Sequence, residues 1–392
     1  MNLKELFYRH IAQTSPEPLA IEIEKAEGIY LYSPDGKRYM DLISGISVSN
    51  VGHCRPEVVK AVQEQAEKYM HLMVYGEMVQ SPQVLLAKRL TELLPPQLDS
   101  VYFVNSGSEA IEGAIKLARR FTGKTEILSC RNAYHGCTNG AMSIMGCEDF
   151  TRSFRPLLPH CHKINFGQTA DIEKITTETA AVIIEVVQGE AGVRSADKTY
   201  WQQLRKRCTE TETLLVFDEI QTGFGRTGTL FAFEQTGIVP DMLTLAKGMG
   251  GGMPIGAFVA SREMMNCLTR NPVLGHITTF GGHPVCCAAA LAALEVIVGE
   301  QLHLQVPQKA KLFRDLLSDL PKVKEFRQQG LLMALEFGNQ KYNFEVINRC
   351  LSNGLLTDWF LFCDTALRLA PPLVISEEEI GRACEVLVEI IK

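Results

Sequence analysis

The chain reads as an α/β protein with a mainly parallel central sheet covered by helices. Two patterns predict this. Between about residues 100 and 261, short apolar runs alternate with longer stretches of helical period. The runs at 101–104, 126–129, 181–184, 214–217, 242–246 and 257–260 have strand length, and 109–121 and 201–209 repeat as helices do. In addition, chemically loaded residues stand directly after several runs. Examples are Asn105-Ser106-Gly107, Asp218-Glu219 and Lys247-Gly248. In open α/β sheets the carboxyl ends of the strands face the ligand crevice.

The flanking segments differ in character. Residues 28–39 predict two short strands around a Pro34-Asp35-Gly36 turn. After the alternating region, 288–298 reads as an Ala/Leu helix, and helices and short strands continue to Lys392. A length of 392 residues exceeds one ordinary domain and suggests two in one unit. No internal repeat or low-complexity stretch is present.

Composition narrows the function classes. Hydrophobic content of 46% and charged content of 21% supply the core of a soluble enzyme. A net charge of −6 offers no basic field for a phosphate backbone, so a nucleic-acid partner is not expected. No apolar run reaches membrane-span length, and residues 1–10 lack a signal-peptide core, so a cytoplasmic protein with no membrane partner is expected. The twelve cysteines are scattered without a Cys-x-x-Cys pair, as small buried hydrophobes of a reducing compartment. His160-Cys161-His162 lacks partners at zinc-like spacing, and no metal is expected.

Lys247 ends an apolar run and precedes glycines at 248, 250, 251 and 252. Desolvation there lowers the pKa of its amine and frees a nucleophile, although a strand-end lysine reaching solvent has the same local pattern. Asp218, at the end of the run 214–217, sets a carboxylate beside it. A lysine that holds an aldehyde as a Schiff base, opposite an acid that keeps a ring nitrogen protonated, is the arrangement pyridoxal 5'-phosphate (PLP) requires. Gly107 and Ser108 open a helix whose N-terminal amides and dipole suit a phosphate, while Ser106 and its neighbours also read as a plain N-cap. Arg368 interrupts an apolar stretch and needs an anion, either a bidentate carboxylate ligand or a protein acid.

With these residues in place, the chain resembles the class III (ω-amino) aminotransferases of PLP fold type I, the acetylornithine and ornithine aminotransferases among them. The resemblance rests on Asp41 to Val48, Gly52-His53-Cys54-Arg55-Pro56, Asn105 to Ala110, Tyr134-His135-Gly136, Glu185 to Glu190, Phe217 to Arg226, Thr279 to Pro284 and Leu367 to Pro372. It implies a large PLP-binding domain over 46–287 and a smaller α+β domain from 1–45 and 288–392. It also implies roles for individual residues. Tyr134 stacks on the cofactor ring while His135 and Gly136 shape the turn beneath it, Gln221 binds its phenolic oxygen, and Ser106, Gly107 and Ser108 hold the phosphate. Glu185 belongs to the pocket. Thr279 reaches the phosphate of the opposite subunit in a homodimer with shared sites. Ile46, Arg368 and Glu190 bind substrate, with Glu190 occupying Arg368 when no α-carboxylate is bound.

The implied reaction is a ping-pong transfer from an ω-amino or ornithine-type donor to a keto acid, usually 2-oxoglutarate, with Lys247 as the proton carrier. Three departures stand out. Val186 replaces a frequent proline and His283 a frequent asparagine, and Cys137 stands where carboxylate-binding members carry arginine, with Arg152 and Arg155 as nearby substitutes. A racemase, aminomutase or decarboxylase would share Lys247 and Asp218. From another class, Gly223-Phe224-Gly225-Arg226-Thr227-Gly228 matches a dinucleotide fingerprint, but five residues separate it from its strand.

Overall fold

The computed structural model describes residues 2–391. Near the N-terminus lie the strands β1 (Lys25–Glu27), β2 (Tyr30–Tyr32) and β3 (Arg38–Asp41). The central region supplies β4 (Ser100–Val104), β5 (Glu126–Cys130), β6 (Cys161–Ile164) and β7 (Thr179–Glu185), then a small hairpin, β8 (Val187–Gln188) and β9 (Arg194–Ser195). It continues with β10 (Leu214–Asp218), β11 (Met242–Leu245) and β12 (Gly256–Ala260). The C-terminal part contains β13 (Glu325–Gln329), β14 (Leu332–Glu336), β15 (Leu355–Leu356), β16 (Asp358–Phe360) and β17 (Cys363–Leu369).

Seven strands form the central sheet in the order β4-β12-β11-β10-β7-β5-β6. The pairs from β11 to β6 are parallel, while β12 runs antiparallel to both β11 and β4. The sheet is thus mixed, though mainly parallel as expected. All seven residues of β7 are buried, so an uninterrupted apolar run is what a strand covered on both faces requires. The edge strand β6 was not expected. Its Cys161-His162-Lys163 is only partly buried, and a half-exposed edge carries little apolar signal.

The helix Gly107–Thr122 explains its own limits. Ser106 caps it by accepting from the Glu109 amide, and Gly123 ends it with a φ of 72°. Its buried face (Ala110, Ile111, Ala114, Ile115, Ala118) lies on the sheet. Gly113 is required there, because a Cβ would stand 2.3 Å from the Phe258 ring. The Ala/Leu helix runs over Pro284–Gly299 and packs on the helices Pro56–Lys68 and Ser81–Leu93.

The Pro34-Asp35-Gly36 turn joins β2 to β3 as predicted, closed by the Ser33 amide donating to the Lys37 carbonyl at 2.9 Å. β3 then pairs in parallel with β15, which ties the N-terminal segment to the C-terminal part. A four-stranded antiparallel sheet, β13-β14-β17-β16, completes that part with the helices Leu302–Leu317, Gln340–Ser352 and Glu377–Ile391. No single helix among the described residues is long and apolar enough to cross a membrane.

Parallel strands leave their carboxyl ends on one edge. On it lie Asn105 after β4, Tyr134 shortly after β5, Glu185 ending β7, Asp218 ending β10 and Lys247 just beyond β11. Because β12 is reversed, its first residue, Gly256, pairs with Val104 on the same edge.

Candidate active site

A cavity of about 430 Å³ opens at that edge. Its wall brings together nine of the residues singled out from sequence: Ser106, Gly107, Ser108, Tyr134, His135, Glu185, Asp218, Gln221 and Lys247. Asn105, Gly136, Thr222 and Gly252, all within segments quoted from sequence, also line it, and Val48, Val187, Ile220, Ala246 and residues 253–255 complete it. The apolar members had no distinguishing signal, because an apolar wall residue looks like any core residue.

Lys247 is half-buried and has a φ of +49°, a left-handed conformation that costs on the order of 1–3 kcal/mol for a non-glycine residue. The bend turns the chain out of β11 so that the lysine enters the cavity wall. Burial pushes its ammonium below the ordinary lysine value. Arg368 acts in the same direction, and Glu190, Asp218 and Glu185 oppose it. The net effect shifts the amine toward its neutral form relative to an ordinary lysine.

Asp218 and Glu219 occupy opposite sides of the chain at the end of β10, as successive strand residues must. Glu219 turns into the protein, where it accepts from Thr222 Oγ1 and from the Ala232 and Phe233 amides at 2.6–2.9 Å. Asp218 stays on the cavity. Its Oδ1 accepts from the Ile220 amide at 3.0 Å, and its Oδ2 lies 2.7 Å from His135 Nδ1. His135 therefore orients the acid, a role beyond the turn-shaping one inferred from sequence.

The anion end is built by close approaches. A 16-residue helix opens after Ser106, and its first residues, Gly107 and Ser108, whose amides have no intrahelical partner, line the cavity. Asn105 steadies this loop through Glu109 Oε2 and Thr278 Oγ1. Ser108 Oγ accepts from the Cys137 amide at 3.1 Å, and a Cβ on Gly136 would lie 2.0 Å from that oxygen. The segment Tyr134-His135-Gly136 is thereby fixed between the loop and Glu185, which accepts from the Tyr134 amide at 3.2 Å. Burial, and then Asp218, push the Glu185 carboxyl well above the ordinary value.

Gln221 sits against Gly189, where a Cβ would meet Gln221 Oε1 at 1.9 Å, and its buried Nε2 has no partner. An unmatched donor on the wall, a fixed carboxylate, a lysine of lowered pKa and a helix-end anion site fit PLP. Lys247 would carry its aldehyde, Asp218 would face its ring nitrogen, Gln221 its phenolic oxygen, and the 106–108 loop its phosphate.

Four predicted residues lie outside this wall. Arg368 on β17 is buried over the Phe360 ring, and its Nη2 meets Glu190 Oε2 at 2.5 Å. The Leu361 amide also donates to Glu190 Oε2, at 3.0 Å. The anion at Arg368 here is a protein acid, one of its two readings from sequence. Ile46 lies in a left-handed bend at φ 66° and is absent from the wall, which Val48 lines instead. Thr279 is exposed.

The dinucleotide fingerprint does not bind phosphate here. Arg226 at its centre is fully buried, donating to the Leu331 and Pro371 carbonyls and to Asn50 Oδ1, and a short 3₁₀ turn follows instead of a helix.

Comparison with known proteins agrees with this geometry. The family described as aminotransferase class-III matches residues 11–391. An acetylornithine aminotransferase of Methanopyrus kandleri is 39% identical, over 100% of this chain and 99% of its own. A transaminase from the marine bacterium Virgibacillus superposes with a TM-score of 0.93 at 27% identity, covering 99% and 98% of the two chains. The ornithine aminotransferase of Toxoplasma gondii, with PLP partly occupying its active site, gives 0.90 at 29% identity over 99% and 93%. The chain belongs to the class III aminotransferases and is a PLP-dependent enzyme of fold type I.

Proposed function

We propose that this aminotransferase moves an amino group from an ω-amino or ornithine-type donor to 2-oxoglutarate by a ping-pong route. The observation that carries the proposal is the Arg368–Glu190 pair. A buried arginine already neutralised by an acid can present either of two surfaces. With Glu190 in place the subsite is uncharged and tolerates a donor that brings its terminal amine to Lys247. With Glu190 turned aside, Arg368 offers its planar fork to an α-carboxylate. The names of the Methanopyrus kandleri and Toxoplasma gondii relatives support an ornithine-type donor.

The bound cofactor supplies an electron sink for the charge that develops at the substrate carbon. Asp218, held by His135 and the Ile220 amide, is fixed where that sink needs a proton on its ring nitrogen. The Lys247 amine takes a proton from the substrate carbon and returns it on the other side of the transfer. The 106–108 loop and Gln221 fix orientation.

We further propose a homodimer with shared sites. Support comes from exposed Thr279 and from exposed apolar side chains of Met78, Val79, Ile277 and Phe280, some lining an apolar groove beside it. The test is a panel of amino donors with 2-oxoglutarate, following glutamate, alongside sedimentation of the enzyme. Glutamate formation from ω-amines or ornithine by a dimer is expected. Absence of glutamate with every donor, or full activity in a monomer, would overturn the respective parts.

A further inference from the structure

A second chamber, of about 390 Å³, adjoins the active-site cavity and shares Tyr134 with it. Its wall is Cys137, Met142, Met145, Phe150, Phe154 and Leu361, with Asn139 as the polar member besides the Tyr134 hydroxyl. That hydroxyl lies 3.1 Å from Cys137 Sγ, so Cys137 lines the second space beside the residue the two spaces share. Burial pushes the Tyr134 phenol up, so it stays neutral.

Among the described residues no cation lines the chamber. The neighbouring arginines are engaged outside it and exposed. Arg155 grips both oxygens of Glu148 at 2.7 Å, and Arg152 lies 3.6 Å from Asp149. Lys163, from β6, spends its Nζ on Ser129 Oγ and the Ser143 carbonyl, both at 3.0 Å. The chamber is partly open, with Cys137, Asn139, Phe150, Phe154 and Leu361 exposed; a carboxylate there would find no counter-charge among the described residues, whereas a hydrocarbon would meet thioethers and aromatic rings that adapt to its shape.

We propose that this chamber receives the far end of the amino donor, and that it selects an uncharged, apolar chain over one ending in a carboxylate. The proposal rests on the aminotransferase reading and narrows the donor within the ω-amine class. Cys137 is the specificity-determining residue, because it stands where the donor chain passes Tyr134. Each methylene buried is worth about fourfold in kcat/KM, so two methylenes give about tenfold or more.

The test uses the PLP-loaded enzyme without a keto acid and follows the cofactor absorbance in a single half-reaction. Butylamine, hexylamine and 6-aminohexanoate are compared. Hexylamine is expected to exceed both butylamine and 6-aminohexanoate by about tenfold or more in kcat/KM. Cys137→Arg is expected to shift the ratio of hexylamine to 6-aminohexanoate at least tenfold toward the carboxylate. Should that variant misfold, Phe154→Ala, at a side chain 60% exposed, is expected to lower the chain-length preference. Equal rates for the two six-carbon donors, preference for the carboxylate, or reaction with neither amine overturns the chamber assignment. Glutamate, run in parallel, tests the aminotransferase reading separately, since conversion of glutamate with the wrong amine ratio defeats the chamber alone.

Discussion

Replacing Arg368 by alanine separates the two half-reactions, because the arginine is proposed to touch only the substrate that carries an α-carboxylate. The side chain is 2% exposed, stacked on Phe360 and paired with Glu190 at 2.5 Å. A carboxylate substrate that displaces Glu190 gains two charge-assisted hydrogen bonds, worth ~1.5–3 kcal/mol each in isolation. Subtracting the one such bond lost with Glu190, the net contribution is ~1.5–3 kcal/mol, about tenfold to a hundredfold or more in kcat/KM. Arg368→Ala should therefore reduce reaction with glutamate and 2-oxoglutarate by that factor, and should affect a donor lacking an α-carboxylate by less than about tenfold. The change also strands a buried acid, costing ~3–5 kcal/mol of stability, so retained cofactor absorbance must accompany the kinetics. Glu190→Gln is the companion variant. It keeps Arg368 but weakens the lock, and is expected to spare glutamate while slowing the ω-amine. The assay is single-turnover absorbance of the cofactor in each half-reaction. Equal losses in both halves on replacing Arg368 would refute the switch.

Two other perturbations bear on the site. Gly136→Ala places a methyl 2.0 Å from Ser108 Oγ and 3.0 Å from the Ser108 backbone at a φ of +124°. A strain of ~1–3 kcal/mol should weaken PLP binding about tenfold, read by titrating PLP into the apoenzyme, and unchanged affinity would count against this cradle. Uptake of PLP by the apoenzyme needs the neutral Lys247 amine. Because burial lowers its pKa, the neutral fraction is larger at any given pH than for an ordinary lysine. The uptake rate should rise with pH and level off below the unperturbed lysine value of about 10.4, whereas a rate still rising above that pH would contradict the lowered pKa.

Much of this arrangement was legible because buried parallel strands leave an unmistakable mark. The runs that became β5, β7, β10, β11 and β12 are almost wholly buried, and β7, β10 and β11 lead to Glu185, Asp218 and Lys247 at one edge. Lys247 stood out because a lysine between an apolar strand and glycines has no packing role. What escaped detection lacked a local signal. The edge strand β6 is half-exposed, and its Cys-His-Lys-Ile sequence resembles a loop. The bond from His135 to Asp218 joins positions 83 residues apart, which no spacing reveals. Glu219 and Asp218 are neighbours of identical chemistry, and only strand alternation decides which faces the cavity. The bend at 44–47 was another such case, since its left-handed backbone presents Val48, not Ile46, to the wall.

The central claim is that Lys247 is the residue joined to the cofactor, and chemical trapping tests it most directly. Borohydride reduction of the PLP-loaded protein, followed by peptide mass spectrometry, should place the phosphopyridoxyl group on Lys247. The Lys247→Ala protein, treated identically, should retain no covalent label and no turnover. A reduced cofactor found on another lysine, or a label that survives in Lys247→Ala, would contradict the account.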